Sequence, residues 1–344
     1  MKYIAFVTKG LEKIAESEIC SLVYDAQILE IGDKRIVFET SIEISTLAKL
    51  KTVDDICLFI GIVENVNNAD PIINPLVSAK YQDILDFLSK YREMQKNTFS
   101  LTVSMVGNEQ LEPQELINTV SETLKGKFSW IFQEKDHSNF DIRIFIDHNT
   151  AHFGVRLTKE SLHHRKYKIL SKQGSLRPTV AAAMVLLATA NKNGLKVIDN
   201  FCGSGTILCE ANSMDNQVYG GDIDSESVQI TKGNLSQLNY STQDKIKVLN
   251  ATKTNWPSNY FDIAVSNLPW NKQVEVEHIS KLYAETLKEY KRILKRDATL
   301  CLLVSKPEIL VKYAKKEFPD HQIKVIKIGL LGQNPSIVLV NKVV

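Results

Sequence analysis

From residue 196 onward the chain alternates short apolar runs with stretches of helical periodicity, and glycine-bearing turns separate many of them. That alternation builds a sheet of parallel strands with helices crossing over its faces, because each crossover returns the chain to the same end of the sheet. The expected strands are residues 196–199, 218–222, 246–249, 261–266, 299–304, 323–328 and 337–340, with a helix at 178–191 leading in. A doubly wound, parallel α/β domain is therefore expected over residues 169–344. In such sheets ligands bind at the carboxyl ends of the strands, so the turns there are where the chemistry should lie.

The preceding half reads as α+β. Strands are expected at residues 3–8, 35–39, 56–63, 98–106, 140–147 and 151–157. Helices are expected at 11–23, where Leu11, Ile14, Ala15, Ile19 and Leu22 recur at helical spacing, near 81–91, and from Pro113 to about 125. A chain of 344 residues exceeds what one core organises, and the expected division is 1–60, 61–168 and 169–344. Cys20, Cys57, Cys202, Cys209 and Cys301 are scattered, with no pair at metal-ligand or disulfide spacing, so no metal site is expected and a reducing, cytoplasmic setting fits. No stretch approaches a membrane span or a cleavable leader, so no membrane partner is expected.

Charge is unevenly distributed. Residues 1–170 carry 20 Lys and Arg against 24 Asp and Glu, and residues 171–344 carry 22 against 16. Across the boundary, Arg156, Lys159, Arg165, Lys166, Lys168, Lys172 and Arg177 are opposed only by Glu160, with His163, His164 and Tyr167 among them. A basic run with an aromatic suits a polyanion, and it equally suits a solvated linker.

Four turns carry the candidate chemistry. Val197-Ile198-Asp199-Asn200-Phe201-Cys202-Gly203-Ser204-Gly205-Thr206 ends a strand at an acid and enters a helix through Gly-x-Gly. It lacks the third glycine of a dinucleotide fingerprint and the Lys of a phosphate loop. Asp222, followed by Ile223, ends the next strand about 20 residues on, where an acid binds a ribose diol; Asp224 reads as the cap of the following helix. Asn250-Ala251 follows the third strand, where Asn250 is placed either to meet an adenine or simply to make a turn. Ser266-Asn267-Leu268-Pro269-Trp270 follows the fourth. An amine conjugated to a ring is a poor nucleophile because its lone pair is delocalised. Acceptors at the Asn267 side chain and the Leu268 carbonyl would hold its hydrogens, and Trp270 would stack on the ring.

With these residues in view, the sequence resembles a known family. Asp199-Asn-Phe-Cys-Gly-Ser-Gly-Thr206 is similar to the Asp-Pro-x-Cys-Gly-Ser-Gly-Thr signature of class I amino-methyltransferases, and Asn267-Leu-Pro-Trp270 is similar to their Asn/Asp-Pro-Pro-aromatic motif. Residues 98–168 resemble a THUMP RNA-binding domain, whose exit motif Leu-His-x-Arg-Gly-Tyr-Arg is matched by Leu162-His163-His164-Arg165-Lys166-Tyr167-Lys168. Residues 175–183 resemble the link that packs on the cofactor pocket. The whole resembles THUMP-containing tRNA guanine-N2 methyltransferases, with a ferredoxin-like lead-in and a Rossmann-like catalytic domain.

The resemblance implies S-adenosyl-L-methionine as cofactor, held by Arg177, Pro178, Thr179, Asp199, Phe201, Cys202, Gly203, Ser204, Gly205, Thr206, Asp222, Ile223, Asn250, Ala251 and Asn267. It implies catalysis by residues 267–270 and tRNA bound by Arg156, Lys159, His164, Arg165, Lys166, Lys168 and Lys172, with a small activating protein subunit as a further partner. Three positions depart from the family pattern: Asn200 stands for Pro, Asn250 for Asp and Lys166 for Gly. A second basic set, Lys288, Lys291, Arg292, Lys295 and Arg296, lies on or near one helix. Two other readings stay open: amino-methylation of another acceptor, such as other RNA, DNA adenine or a protein glutamine, and an RNA-binding protein without catalysis.

Overall fold

The computed structural model describes residues 1–93, 97–108, 110–133, 138–270, 276–330 and 332–342. The chain forms two units, one of Met1–Val7 with Glu16–Leu162 and one of Thr8–Ala15 with His163–Val344.

The first unit holds β1 (Lys2–Val7), most of α1 (Glu12–Leu22), β2 (Gln27–Gly32), β3 (Arg35–Glu39), α2 (Ile44–Leu47), β4 (Val53–Val63), α3 (Asp70–Ser78) and α4 (Tyr81–Ser89). It continues through β5 (Thr98–Val106), α5 (Pro113–Phe128), β6 (Ile131–Phe132), β7 (Phe140–Asp147) and β8 (Thr150–Arg156). All eight strands belong to one sheet, ordered β2-β3-β1-β4-β8-β7-β5-β6. The expected divide at residue 60 falls inside β4, which pairs with β1 on one side and β8 on the other. A strand bonded on both edges cannot be a domain boundary, so the lead-in and the segment after it share one sheet. Trp130 stacks on Phe140 at 4.8 Å and on Phe128 at 4.7 Å, which closes the core beside Tyr81.

Arg156 was a candidate for polyanion contact, and the fold gives it another task. Its side chain is 1% exposed and pairs with Asp141 at 2.6 Å. It also donates to Ser161 Oγ and to the Lys159 carbonyl. Arg143 lies 3.1 Å from Asp141 and 3.5 Å from Asp55, so guanidinium groups and carboxylates from β4, β7 and β8 neutralise one another inside the unit. The charge of Arg156 is spent on packing three strands together.

The second unit holds α6 (Pro178–Thr189), β9 (Lys196–Asp199), α7 (Thr206–Asn212), β10 (Gln217–Asp222), α8 (Ser225–Ser236), β11 (Ile246–Val248), β12 (Phe261–Asn267), α9 (Val276–Ile293), β13 (Leu294–Val304), α10 (Pro307–Glu317), β14 (His321–Lys327) and β15 (Ser336–Lys342). Its sheet runs β11-β10-β9-β12-β13-β15-β14. The first five of these strands are mutually parallel, as expected. β15 runs antiparallel to both β13 and β14. The link from β14 to β15 is too short for a crossover, so the last two strands form a hairpin and the sheet is mixed. α6 is apolar on nearly every side and is buried almost throughout against the sheet. Among the described residues no helix is long and apolar enough to cross a membrane, and no group of side chains could hold a metal ion.

Candidate active site

The chain steps from β9 outward to β10 and β11, then returns to lay β12 on the other side of β9. This reversal is a topological switch point, where neighbouring turns diverge and leave a crevice. The turns after β9, β10 and β12 therefore come together around it.

Asp199 closes β9 and is buried. Its Oδ1 accepts from the Phe201 backbone N–H at 3.0 Å and from the Ser266 hydroxyl at 2.6 Å. Ser266 is also 2.7 Å from the buried Tyr290 hydroxyl. Burial pushes the Asp199 carboxyl up to about 7, and the nearby charge of Asp222 acts in the same direction. Ser266 ties the first turn to the fourth, a link that sequence reading missed because nothing in a lone serine before the motif signals it.

Gly205 has φ +78°, and a Cβ there would meet Thr231 at 2.8 Å, so both conformation and packing require glycine. Gly203 has φ +52°, and its side opens to no atom within 4 Å, which leaves the backbone approachable by a ligand. Cys202 is buried, and its N–H donates to Gly221. Ser204 lies 2.7 Å from Ser175, which brings the segment before α6 onto the glycine turn. Thr206 is 3.4 Å from both serines. Arg177 takes the N-terminal flanking position of α6, Pro178 takes its first turn, and Thr179 is fully buried.

Asp222 Oδ2 accepts from the Gly203 N–H at 3.0 Å, and its Oδ1 accepts from the Asp224 N–H at 3.1 Å. The carboxylate thus spans the first two turns and keeps lone pairs for hydroxyl donors. Ile223 beside it is 76% exposed, an apolar side chain left open next to that carboxylate. Asp224 caps α8 through Ser227. Asn250 takes the turn reading, since its Oδ1 accepts from both the N–H and the hydroxyl of Thr252. Ala251 is buried beside it. Asn200 accepts from the Trp256 indole at 3.2 Å, which gives the residue that replaces Pro a partner of its own.

Residues 267–270 leave β12 next to β9. The Leu268 N–H donates to the Leu303 carbonyl, and the Tyr283 hydroxyl donates to the Pro269 carbonyl at 3.3 Å. The Trp270 indole N–H donates to Asn267 Oδ1 at 3.0 Å. The Leu268 side chain is buried, while Asn267, Pro269 and Trp270 are half-buried. No described residue donates to the Leu268 carbonyl.

The basic run divides. Arg165 Nε donates to the fully buried Glu210 at 2.9 Å, and the Tyr167 hydroxyl donates to the same oxygen at 2.7 Å. Lys168 donates to the Leu176 carbonyl, and burial lowers its affinity for a proton. Lys172 pairs with Asp224 and Glu226. Arg165 and Tyr167 fasten this segment within the second unit through Glu210, an anchor that nothing near it in sequence announces. Lys159, His164 and Lys166 stay exposed, and neither lysine forms an ion pair among the described residues. In the second basic set, Lys291, Arg292 and Lys295 pair with Glu317, Glu289 and Asp262, while Lys288 and Arg296 are exposed.

A mixed seven-stranded sheet of this order, with an acid-terminated Gly-x-Gly turn, a second acid and an Asn-x-Pro-aromatic turn at its switch point, defines a Rossmann-like class I methyltransferase, a class that uses S-adenosyl-L-methionine. Residues 165–333 match the UPF0020 family of RMKL-like methyltransferase domains. The human U6 snRNA (guanine-N(2))-methyltransferase THUMPD2 is 32% identical over 198 residues, which span 56% of this chain and 37% of that protein. The tRNA (guanine(6)-N2)-methyltransferase of Thermus thermophilus is 28% identical over 207 residues, 58% of this chain and 60% of that one. The chain thus covers less than two thirds of these relatives' length. The crystal structure of TrmN from Thermus thermophilus superposes with a TM-score of 0.77 at 21% identity, over 99% of each chain, so both units share its fold.

The residues fit the cofactor of the class. Gly203 is open to backbone approach, Asp222 keeps acceptor capacity, and Ile223 offers an apolar surface beside it. Asn250 is the exception, because its side-chain oxygen already holds two hydrogens from Thr252.

Proposed function

We propose that this protein methylates the exocyclic N2 of a guanosine in RNA, with tRNA as substrate. The observation that carries the proposal is the placement of Asn267 and Leu268 beside the Asp199 turn, joined to it by the Ser266–Asp199 hydrogen bond. S-adenosyl-L-methionine supplies an electrophilic methyl group when bound; Asp222, Ile223 and residues 199–206 are the groups that would hold it.

The chain's own part is positional. Asn267 Oδ1 and the Leu268 carbonyl accept the two hydrogens of the target amine, which turns its lone pair out of the ring plane. Trp270 stacks on the base, which must leave its helix to reach the crevice at a cost of about a few kcal/mol. No covalent nucleophile is needed: Cys202 is buried, and its thiol is held well above its usual range by burial.

In this reading residues 98–168 act as a THUMP domain that binds RNA, and Lys159, His164 and Lys166 contact phosphates without reading sequence. The two relatives, guanine-N2 methyltransferases of U6 snRNA and of tRNA, support N2 of guanine and differ in the RNA. The test is methyl transfer from radiolabelled cofactor to unmodified tRNA and to U6 snRNA, followed by nucleoside analysis. Labelled N2-methylguanosine in tRNA is expected. The same nucleoside in U6 RNA alone would keep the chemistry and replace the substrate. Label on adenine or on protein would overturn the reading.

A further inference from the structure

In the proposed reaction Trp270 stacks on the target base. We propose that Trp270 is also the positioning residue that orients Asn267, acting through its indole N–H; this rests on the function proposed above.

The backbone of residues 267–270 is held from two sides, by Leu303 on β13 and by Tyr283 on α9. That hold does not reach the end of the Asn267 side chain. The last torsion of an asparagine is broad and nearly two-fold, so the amide oxygen and nitrogen readily exchange places. The one side-chain hydrogen bond of Asn267 among the described residues is the 3.0 Å bond from Trp270 Nε1. An indole only donates, so its partner must be Oδ1 and never Nδ2. An amide oxygen accepts two hydrogens. The indole takes one position and leaves one for a hydrogen of the target amine. Without the indole N–H the amide is free to turn Nδ2 toward the amine, where donor would meet donor. One residue thus sets both the plane of the base and the acceptor that orients its amine.

The chain has three tryptophans, so its indole N–H groups give three resonances in a nitrogen–proton correlation spectrum. Trp270→Phe assigns the signal of interest. Trp256, which donates to Asn200 inside the core, serves as the internal reference. In Asn267→Ala the Trp270 signal is expected to shift and its proton to exchange faster, while the other two stay in place. An unmoved signal would overturn the bond, whatever the enzyme's activity.

The second arm replaces Trp270 by benzothienylalanine, which keeps the fused ring and lacks the N–H. An about tenfold fall in kcat is expected, with KM for RNA and cofactor affinity held within about twofold. Trp270→Phe should show the same fall in kcat. An unchanged kcat, or a loss confined to KM, would overturn the positioning role and leave stacking alone. If the wild-type protein transferred no methyl group to any RNA, the proposed function would fail, and the spectral arm would still decide the bond.

Discussion

The Arg156–Asp141 cluster of the first unit and the Asp199 turn of the second bury charge in opposite ways. In the first, Arg156 and Asp141 meet at 2.6 Å with Arg143 and Asp55 beside them, so each buried charge has an opposite one. In the second, Asp199 is as deeply buried, but its partners are a hydroxyl and an N–H. No described cation pairs with it, and burial holds its carboxyl near 7. A neutralised network holds strands together, whereas an acid left without a counter-ion at a switch point is what a binding site looks like.

Breaking the network should have the largest effect. Arg156→Ala leaves Asp141 buried without its cation and should destabilise the first unit by about 3–5 kcal/mol, read from denaturant unfolding. The salt dependence of RNA binding in the folded fraction should not change. A change in that slope would return Arg156 to the RNA surface and dissolve the contrast.

Asn267→Ala should lower kcat by about 100–1000-fold, because it removes an acceptor that acts on the reacting amine. Cofactor affinity, measured by calorimetry, should stay close to wild type. Loss of cofactor binding would move Asn267 out of catalysis.

Asp199 makes the comparison dependent on pH. Its folded pKa, about 7, lies above its unfolded value of 3.8, so the folded state holds the proton more tightly. Its contribution to stability is full below about pH 4 and is lost as pH rises through about 7. Asp199→Asn imitates the protonated acid and should flatten stability across that window. An unaltered pH profile would mean that Asp199 is solvated and that the two units do not differ in this way.

The smallest effect belongs to the exposed lysines. Lys159→Ala with Lys166→Ala should reduce the logarithmic salt slope of RNA binding by about one to two. No reduction would place the RNA surface elsewhere, with Lys288 and Arg296 the next residues to replace.

Much of this was legible in the amino-acid order. The strands Arg35–Glu39, Thr98–Val106, Phe140–Asp147 and Lys196–Asp199 lie where the apolar pattern places them. Their periodicity is local, and so is the glycine requirement at 203 and 205. β2 was not read, because its residues are only half-buried and its apolar alternation is weak. α3 carries Pro75 inside it, which argues against a helix until packing overrides it.

For the site, sequence alone placed an acid, a Gly-x-Gly turn, a second acid and an Asn-x-Pro-aromatic turn at successive strand ends, because strand ends and turns are written in neighbouring residues. Which charges are exposed was decided by the tertiary structure. Arg156, Arg165, Lys168 and Lys172 read as one basic run, and the fold gives each a partner: Asp141, Glu210, the Leu176 carbonyl and Asp224. The Ser266–Asp199 bond, which joins the two halves of the site, links residues 67 apart. The physical reason is the same in each case. A turn is specified by the residues that make it, whereas the partner of a charge is whatever the fold carries to within about 3 Å of it.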